Sequence, residues 1–348
     1  MGGCQPLLGF RRHRPRGPAE AARRGGPAVS WTAKDIPSQQ GRRVVITGAT
    51  GGLGYETALA LAAAGARVLL TGRNPAKGTD ALTRIRAAVP DATISYDDLD
   101  LADLGAVEAF TNRLADSWDA IDLLINNAGV MTPPTRHETR DGFELQFGTN
   151  YLGHFALTAR LLPLLRKGDR SRVVNLSSGA HRLLAAIHFD DLQWRNSYKP
   201  WRAYAQSKLA MILFAFELQR KSDALGWGLM SNAAHPGYAI TDLQTSGPRL
   251  GRGGKPGIAE RFSALLAPFM SQSAAAGALP TLFAATAPDA KPAGYYGPQN
   301  MFELKGPVGE ARIGNEAQDT AVAARLWRVS EELTGVSWPA ATDLASVA

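Results

Sequence analysis

The chain has 348 residues, 45% of them hydrophobic and 20% charged, and carries a formal net charge of +7. That balance is ordinary for a soluble globular protein and excludes disordered, collagen-like and coiled-coil chains. A single cysteine, Cys4, excludes a disulfide framework and thiolate zinc or iron–sulfur clusters, which suits a reducing, cytoplasmic setting.

The charge is concentrated at one end. Residues 1–30 hold Arg11, Arg12, Arg14, Arg16, Arg23 and Arg24 against Glu20, which leaves +5 there and +2 for the other 318 residues. Basicity confined to a tail argues against nucleic acid as the main partner. The tail is rich in Gly, Pro, Ala and Arg without apolar periodicity, and reads as a disordered basic extension. No apolar stretch follows its arginines, so it does not read as a secretory signal. Pro15, Pro18 and Pro27 argue against an amphipathic presequence helix.

From residue 43 strands and helices alternate. Arg43–Thr47 is a short β-branched run, and Gly52–Ala64 has helical composition with Gly65 as its stop. A strand at Arg67–Thr71, a helix at Ala81–Val89 and a strand at Thr93–Tyr96 follow, then a helix at Leu104–Trp118 and a strand at Ile121–Ile125. A long helix is expected over Phe143–Arg166, a strand at Arg172–Leu176, a helix at Ala203–Ala224 and a strand near Gly228–Ala234. Near-continuous apolar strands are buried on both faces, and their alternation with helices implies right-handed crossovers and a parallel sheet. Residues 31–348 are therefore expected to form one doubly wound, Rossmann-type α/β domain. Residues 238–275, with Gly247, Gly251, Gly253 and Gly254, read as a flexible flap. Phe262–Pro288 is 27 residues without a charge, yet Pro268, Gly277 and Pro280 favour a buried helix pair over a transmembrane span. A peripheral contact with a membrane surface stays open as the alternative.

The first strand runs into Thr47-Gly48-Ala49-Thr50-Gly51-Gly52-Leu53-Gly54, which opens a helix. Glycines in that place let a pyrophosphate approach the backbone and the free N–H groups of a helix N-terminus. Gly48, Gly52 and Gly54 fit one glycine spacing and Gly48, Gly51 and Gly54 another, so the loop does not choose between them. The second strand ends in Arg73, nineteen residues after Gly54, where an acid would hold ribose hydroxyls. A guanidinium there pairs with a 2′-phosphate, so NADP(H) is expected over NAD(H). The plainer reading of Arg73 is a solvated charge at a strand end.

Tyr204 and Lys208 stand at i and i+4, on one helix face. Such a lysine can lower the tyrosine's pKa and make it an acid/base near neutral pH. Val173-Val174-Asn175-Leu176-Ser177-Ser178 is a strand ending in two serines, and Asn126-Asn127-Ala128-Gly129 follows another strand at the same sheet edge. Asn150 lies in the long helix. His154, one turn later, and His235, at a strand end, are expected to be structural. No carboxylate–histidine cluster suggests a metal.

Taken with Asn150-Tyr151-Leu152-Gly153-His154-Phe155 and His235-Pro236-Gly237, these motifs resemble the short-chain dehydrogenase/reductase family. The motifs span residues 43–237, the general similarity runs to about 335, and the first 30 residues fall outside it. The resemblance implies Tyr204 as general acid/base and Lys208 as the residue that binds the nicotinamide ribose and tunes it. It also implies Ser178 as the group orienting the substrate carbonyl and Asn150 as holder of a relay water. Cofactor contacts would come from the glycine loop, Asp100, Leu101, Asn127, Ala128, Gly129, Pro236, Gly237 and Thr241. Residues 187–192 and Tyr295-Tyr296-Gly297-Pro298 resemble the retinol-dehydrogenase-like and protochlorophyllide-reductase-like subgroup, which implies a bulky apolar alcohol or carbonyl. Pairing into a homodimer or homotetramer is a further implication. The alternatives are a C=C reductase on the same scaffold and a non-catalytic NADP(H)-sensing protein.

Overall fold

The computed structural model describes Met1, residues 31–239 and residues 271–339. Expectations for the extension over residues 2–30, for most of the flap and for Thr241 lie outside the described residues.

The order of elements is β1 (Arg43–Thr47), α1 (Gly52–Ala63), β2 (Arg67–Gly72), α2 (Pro75–Ala88), β3 (Ile94–Asp98), α3 (Leu104–Ser117) and β4 (Leu123–Asn126). Then come α4 (Leu145–Phe147), a π turn (Gly148–Leu152), α5 (Gly153–Leu165), β5 (Arg172–Leu176), α6 (Pro200–Leu225) and β6 (Met230–Ala234). The last elements are α7 (Ala274–Thr286), β7 (Tyr295–Asn300), β8 (Lys305–Glu310) and α8 (Thr320–Thr334). The eight strands form one sheet in the order β3-β2-β1-β4-β5-β6-β7-β8. Every neighbouring pair is parallel except β7 and β8.

The centre of the sheet is covered on both faces, which is why β1, β2, β4 and β5 are largely apolar. Side chains alternate across a strand. In β1, Val45 faces a core with Phe110 of α3, Leu157 of α5 and Phe214 of α6, while Val44 and Ile46 face Leu61 of α1, Ile85 of α2 and Leu282 of α7. Strand order reverses between β1 and β4, so their C-terminal ends diverge into a crevice, the place where open α/β sheets bind ligands.

Several boundaries differ from the sequence reading for local reasons. Helix α2 begins at Pro75, six residues early, because Pro75 suits the first helical position and the Asn74 side chain caps the Lys77 N–H. Helix α6 likewise begins at Pro200 and ends at Gly226, whose φ of +65° continues the chain in the left-handed region. The long helix expected at Phe143–Arg166 is interrupted by its π turn. Strands β7 and β8 lie beyond the last strand read from the sequence. Pro298, Gly297, Pro307 and Gly309 hide their periodicity. The uncharged stretch contains α7, and among the described residues no helix is long and apolar enough to cross a membrane. At the described ends of the expected flap, Ala239 bridges Gln272.

Candidate active site

Thr47 ends β1 and the chain turns through Gly48 at φ +64° into α1. A Cβ on Gly54 would stand 2.5 Å from the Gly48 carbonyl and 2.6 Å from Asn127 Nδ2, so only glycine lets helix and turn close. Asn127 Nδ2 donates to the Thr47 and Gly48 carbonyls at 2.7 and 3.2 Å, tying the turn to the loop after β4. Between them opens a cavity of about 570 Å³. Its walls include Gly48, Thr50, Gly51, Gly52, Leu53 and Gly54 on one side. Asp100, Leu101, Asn127, Ala128, Gly129 and Val130 form the other. A Cβ on Gly51 would meet nothing within 4 Å, so the α1 N-terminus is open to a diphosphate. The cavity has the size and the donor set for a dinucleotide.

Arg73, at the end of β2, lines the same cavity with Lys77, Asp80 and Arg84 of α2. Arg84 is committed to Asp80 at 2.9 Å and lies over the Tyr55 ring. Among the described residues no ion pair engages Arg73 or Lys77. Lys77 was not anticipated; its place four residues after Arg73, in the first turn of a helix that starts early, was the available signal. Asp100 Oδ1 accepts from the Ala102 N–H, so that carboxylate shapes its own turn.

The cavity meets the second group of residues at Gly129. A Cβ there would lie 3.1 Å from Asn150 Oδ1 and 3.7 Å from Lys208 Nζ. Tyr204 and Lys208 project from α6, whose flanks are almost wholly buried. Burial pushes the Tyr204 phenol up to about 12, opposed by a hydrogen bond with the Ser178 hydroxyl. Burial brings the Lys208 ammonium down to about 8. Burial is the larger influence on the Tyr204 phenol, and the buried Lys208 ammonium lies on the same helix face. Lys208 Nζ is 5.8 Å from the Tyr204 ring centroid and donates to the Leu176 carbonyl at 3.1 Å.

The two serines after β5 are distinguished by their bonds. Ser177 Oγ is spent on the Lys208 carbonyl at 2.7 Å, whereas half-buried Ser178 faces Tyr204. Asn150, fully buried in the π turn, receives the Val130 N–H at 2.7 Å and donates to the Val130 carbonyl and to Ser207 Oγ. Both N–H bonds of its amide are thus engaged by protein. Pro236 and Gly237 follow β6. The Pro236 carbonyl accepts from Gln272 Nε2, and Gly237, at φ +63°, packs against the Leu304 carbonyl.

A second buried polar group backs Ser178. His181 Nδ1 lies 2.7 Å from the Ser178 carbonyl, and its Nε2 accepts from the Gly314 N–H at 3.2 Å. Arg182 pairs with Glu303 at 2.9 Å, and His235 lies 3.4 Å from the same carboxylate. His235 packs at its strand end against Tyr295, as expected. Trp227, by contrast, is remote from the site; it stacks on Trp338 in a cluster with Trp327.

A family model described as short chain dehydrogenase matches residues 42–249. The chain is a short-chain dehydrogenase. As such it is an oxidoreductase that uses a nicotinamide dinucleotide on alcohols or carbonyls. This dehydrogenase is 39% identical to mouse retinol dehydrogenase 12 over 311 residues, covering 89% of this chain and 90% of that one. It is 39% identical to mouse polyprenol dehydrogenase, covering 86% of each. A crystal structure of an uncharacterised protein from Mycobacterium paratuberculosis is 40% identical and superposes with a TM-score of 0.71, covering 89% of this chain and 99% of that one. The dehydrogenase thus falls in the retinol-dehydrogenase-like subgroup.

Proposed function

We propose that this short-chain dehydrogenase interconverts an alcohol and a carbonyl on a bulky apolar substrate, prefers NADP(H), and uses Tyr204 as its proton donor and acceptor. One observation carries the reading: the Tyr204 phenol meets Ser178 beside Lys208, and this group adjoins the dinucleotide-sized cavity at Gly129. The preference for NADP(H) is supported by Arg73 and Lys77, two cations on the cavity wall without an acidic partner among the described residues. The apolar substrate is supported by similarity to proteins named for retinol and polyprenol.

The residues divide the work. Bound cofactor would supply or take the hydride. In the reducing direction the Ser178 hydroxyl holds the substrate oxygen and Tyr204 Oη gives it a proton. Lys208, charged below about pH 8, stabilises the phenolate that remains. Gly48, Gly51 and the α1 N-terminus would receive the diphosphate, and Asn127, Ala128 and Gly129 would floor the nicotinamide end.

The test is NADPH oxidation by the purified protein against aldehydes, ketones and enones of graded length, in parallel with Tyr204→Phe. Turnover of long apolar carbonyls that vanishes in the variant supports the reading. Activity confined to enones moves the reaction to C=C reduction. Activity surviving in Tyr204→Phe removes that residue from the proton path.

A further inference from the structure

His154 is fully buried in α5, one turn after Asn150, and its two ring nitrogens face different parts of the site. Nδ1 is 2.8 Å from the Asn150 carbonyl oxygen, and Nε2 is 2.8 Å from Thr47 Oγ1. A carbonyl can only accept, so Nδ1 carries the hydrogen. Burial holds the ring neutral, and the nearby Lys208 charge acts in the same direction. Nε2 is therefore bare and must accept from the Thr47 hydroxyl. The lone pairs of Thr47 Oγ1 are then free for the Asn127 and Ala128 N–H groups, both at 2.9 Å. The opposite tautomer would leave Nδ1 facing an oxygen and turn Thr47 toward the Ile125 carbonyl at 3.4 Å, a poor bond.

The result is one directed chain: Asn127 and Ala128 amides to Thr47, Thr47 to His154, His154 to the Asn150 carbonyl. The Asn150 side chain returns to Val130. Residues 127–130 floor the cofactor cavity, and both ends of that segment are thereby held from a single turn of helix. Asn150 lies in a π turn that leads into α5, a distortion that recurs at functional sites. A neutral histidine suits the task because it donates on one edge and accepts on the other.

We infer that His154 is a positioning residue, which orders the Thr47 hydroxyl and so holds the Asn127–Val130 segment against the cofactor and beside Lys208. The inference rests on the oxidoreductase reading of the site. It differs from an ordinary core role in what it predicts. A core histidine affects folding stability alone, whereas this one sets cofactor affinity and turnover in protein that is fully folded.

The experiment uses the full chain and four variants: His154→Leu, His154→Gln, Thr47→Val, and the double variant His154→Leu with Thr47→Val. NADPH affinity is read by titration of tryptophan fluorescence, kcat and KM with the best carbonyl substrate, and folding by melting temperature. His154→Leu and Thr47→Val are each expected to weaken NADPH binding at least 10-fold and to lower kcat at saturating NADPH. The double variant should be no worse than the poorer single one, because both break one chain. A glutamine amide can still accept from Thr47, so His154→Gln should bind NADPH within about 3-fold of the parent. If His154→Leu does not fold, the comparison of His154→Gln with Thr47→Val decides. Folded variants with lower melting temperature and unchanged affinity and kcat overturn the inference, as do losses that multiply in the double variant. A parent protein that does not bind NADPH overturns the functional reading as well; one that binds it while His154→Gln and Thr47→Val bind equally overturns this inference alone.

Discussion

Lys208 and Tyr204 lie one helical turn apart, with the lysine Nζ 5.8 Å from the tyrosine ring centroid and bonded to the Leu176 carbonyl. Burial moves the two groups apart on the pH scale, the phenol up to about 12 and the ammonium down to about 8. Lys208 therefore loses its proton as pH rises through about 8. Its support for a phenolate is present below that pH and lost above it. kcat/KM for carbonyl reduction should fall on the alkaline side of about pH 8. A profile flat from pH 7 to 10 would show that the Lys208 charge is not used. Tyr204→Phe should lower kcat at least 100-fold while NADPH affinity stays within about 3-fold.

On the proposed reading, the choice of cofactor turns on Arg73. Replacing it with alanine removes a guanidinium from the cavity wall and leaves Lys77, which pairs with no acid among the described residues. Arg73→Ala should raise KM for NADPH at least 10-fold and change KM for NADH less than 3-fold. Equal effects on both cofactors would assign Arg73 to the surface, as most arginines at strand ends are.

Acid should destabilise this protein earlier than its carboxylates alone require. Burial holds His154 near 3 and His181 near 4, against about 6.5 in an unfolded chain. Between those values the unfolded chain binds more protons than the folded one. Stability is therefore complete above about pH 6.5 and declines as pH falls toward 3. For fully buried His154 the limiting slope is about 1.4 kcal/mol per pH unit. Urea midpoints measured from pH 7.5 to 5 should fall steadily, and less steeply in His154→Gln. Parallel curves for parent and variant would contradict the assignment.

Glu303 joins two segments that meet behind Ser178. Its carboxylate takes Arg182 at 2.9 Å and the Arg312 N–H at 2.9 Å. Met301, Phe302 and Glu303 all have φ between +49° and +67°, a strained run that these contacts hold in place. Burial raises the Glu303 carboxyl, but its bonds to His235 and Arg312 and the Arg182 charge prevail and hold it near 2. This contribution is present above the unfolded value of about 4.5 and lost as pH falls toward 2. Glu303→Gln should destabilise the fold by about 2 kcal/mol, read from chemical denaturation at pH 7. It should also raise KM for the carbonyl substrate more than KM for NADPH, because the contact lies on the Ser178 side.

Much of this molecule was legible before any coordinates. Strands β1, β2, β4 and β5 were readable because strands buried on both faces become apolar runs, and Thr47–Gly54 because a close turn leaves glycine few substitutes. Tyr204 and Lys208 were readable because i and i+4 share a helix face whatever surrounds the helix. These are local constraints, written in consecutive residues. Tertiary structure decided the rest. Lys77 entered the cofactor cavity only because Pro75 starts α2 early; β7 and β8 formed on neighbours, not on periodicity. His154 looked like a core residue until Thr47, 107 positions away, was placed against its ring. Burial set the upward shift of Tyr204, since desolvation depends on what packs around a group and not on its neighbours in the chain. The sequence by itself determined the fold class and named the groups proposed to react. The protonation states, and the hydrogen-bond chain that holds the cofactor floor, were decided by contacts between distant segments.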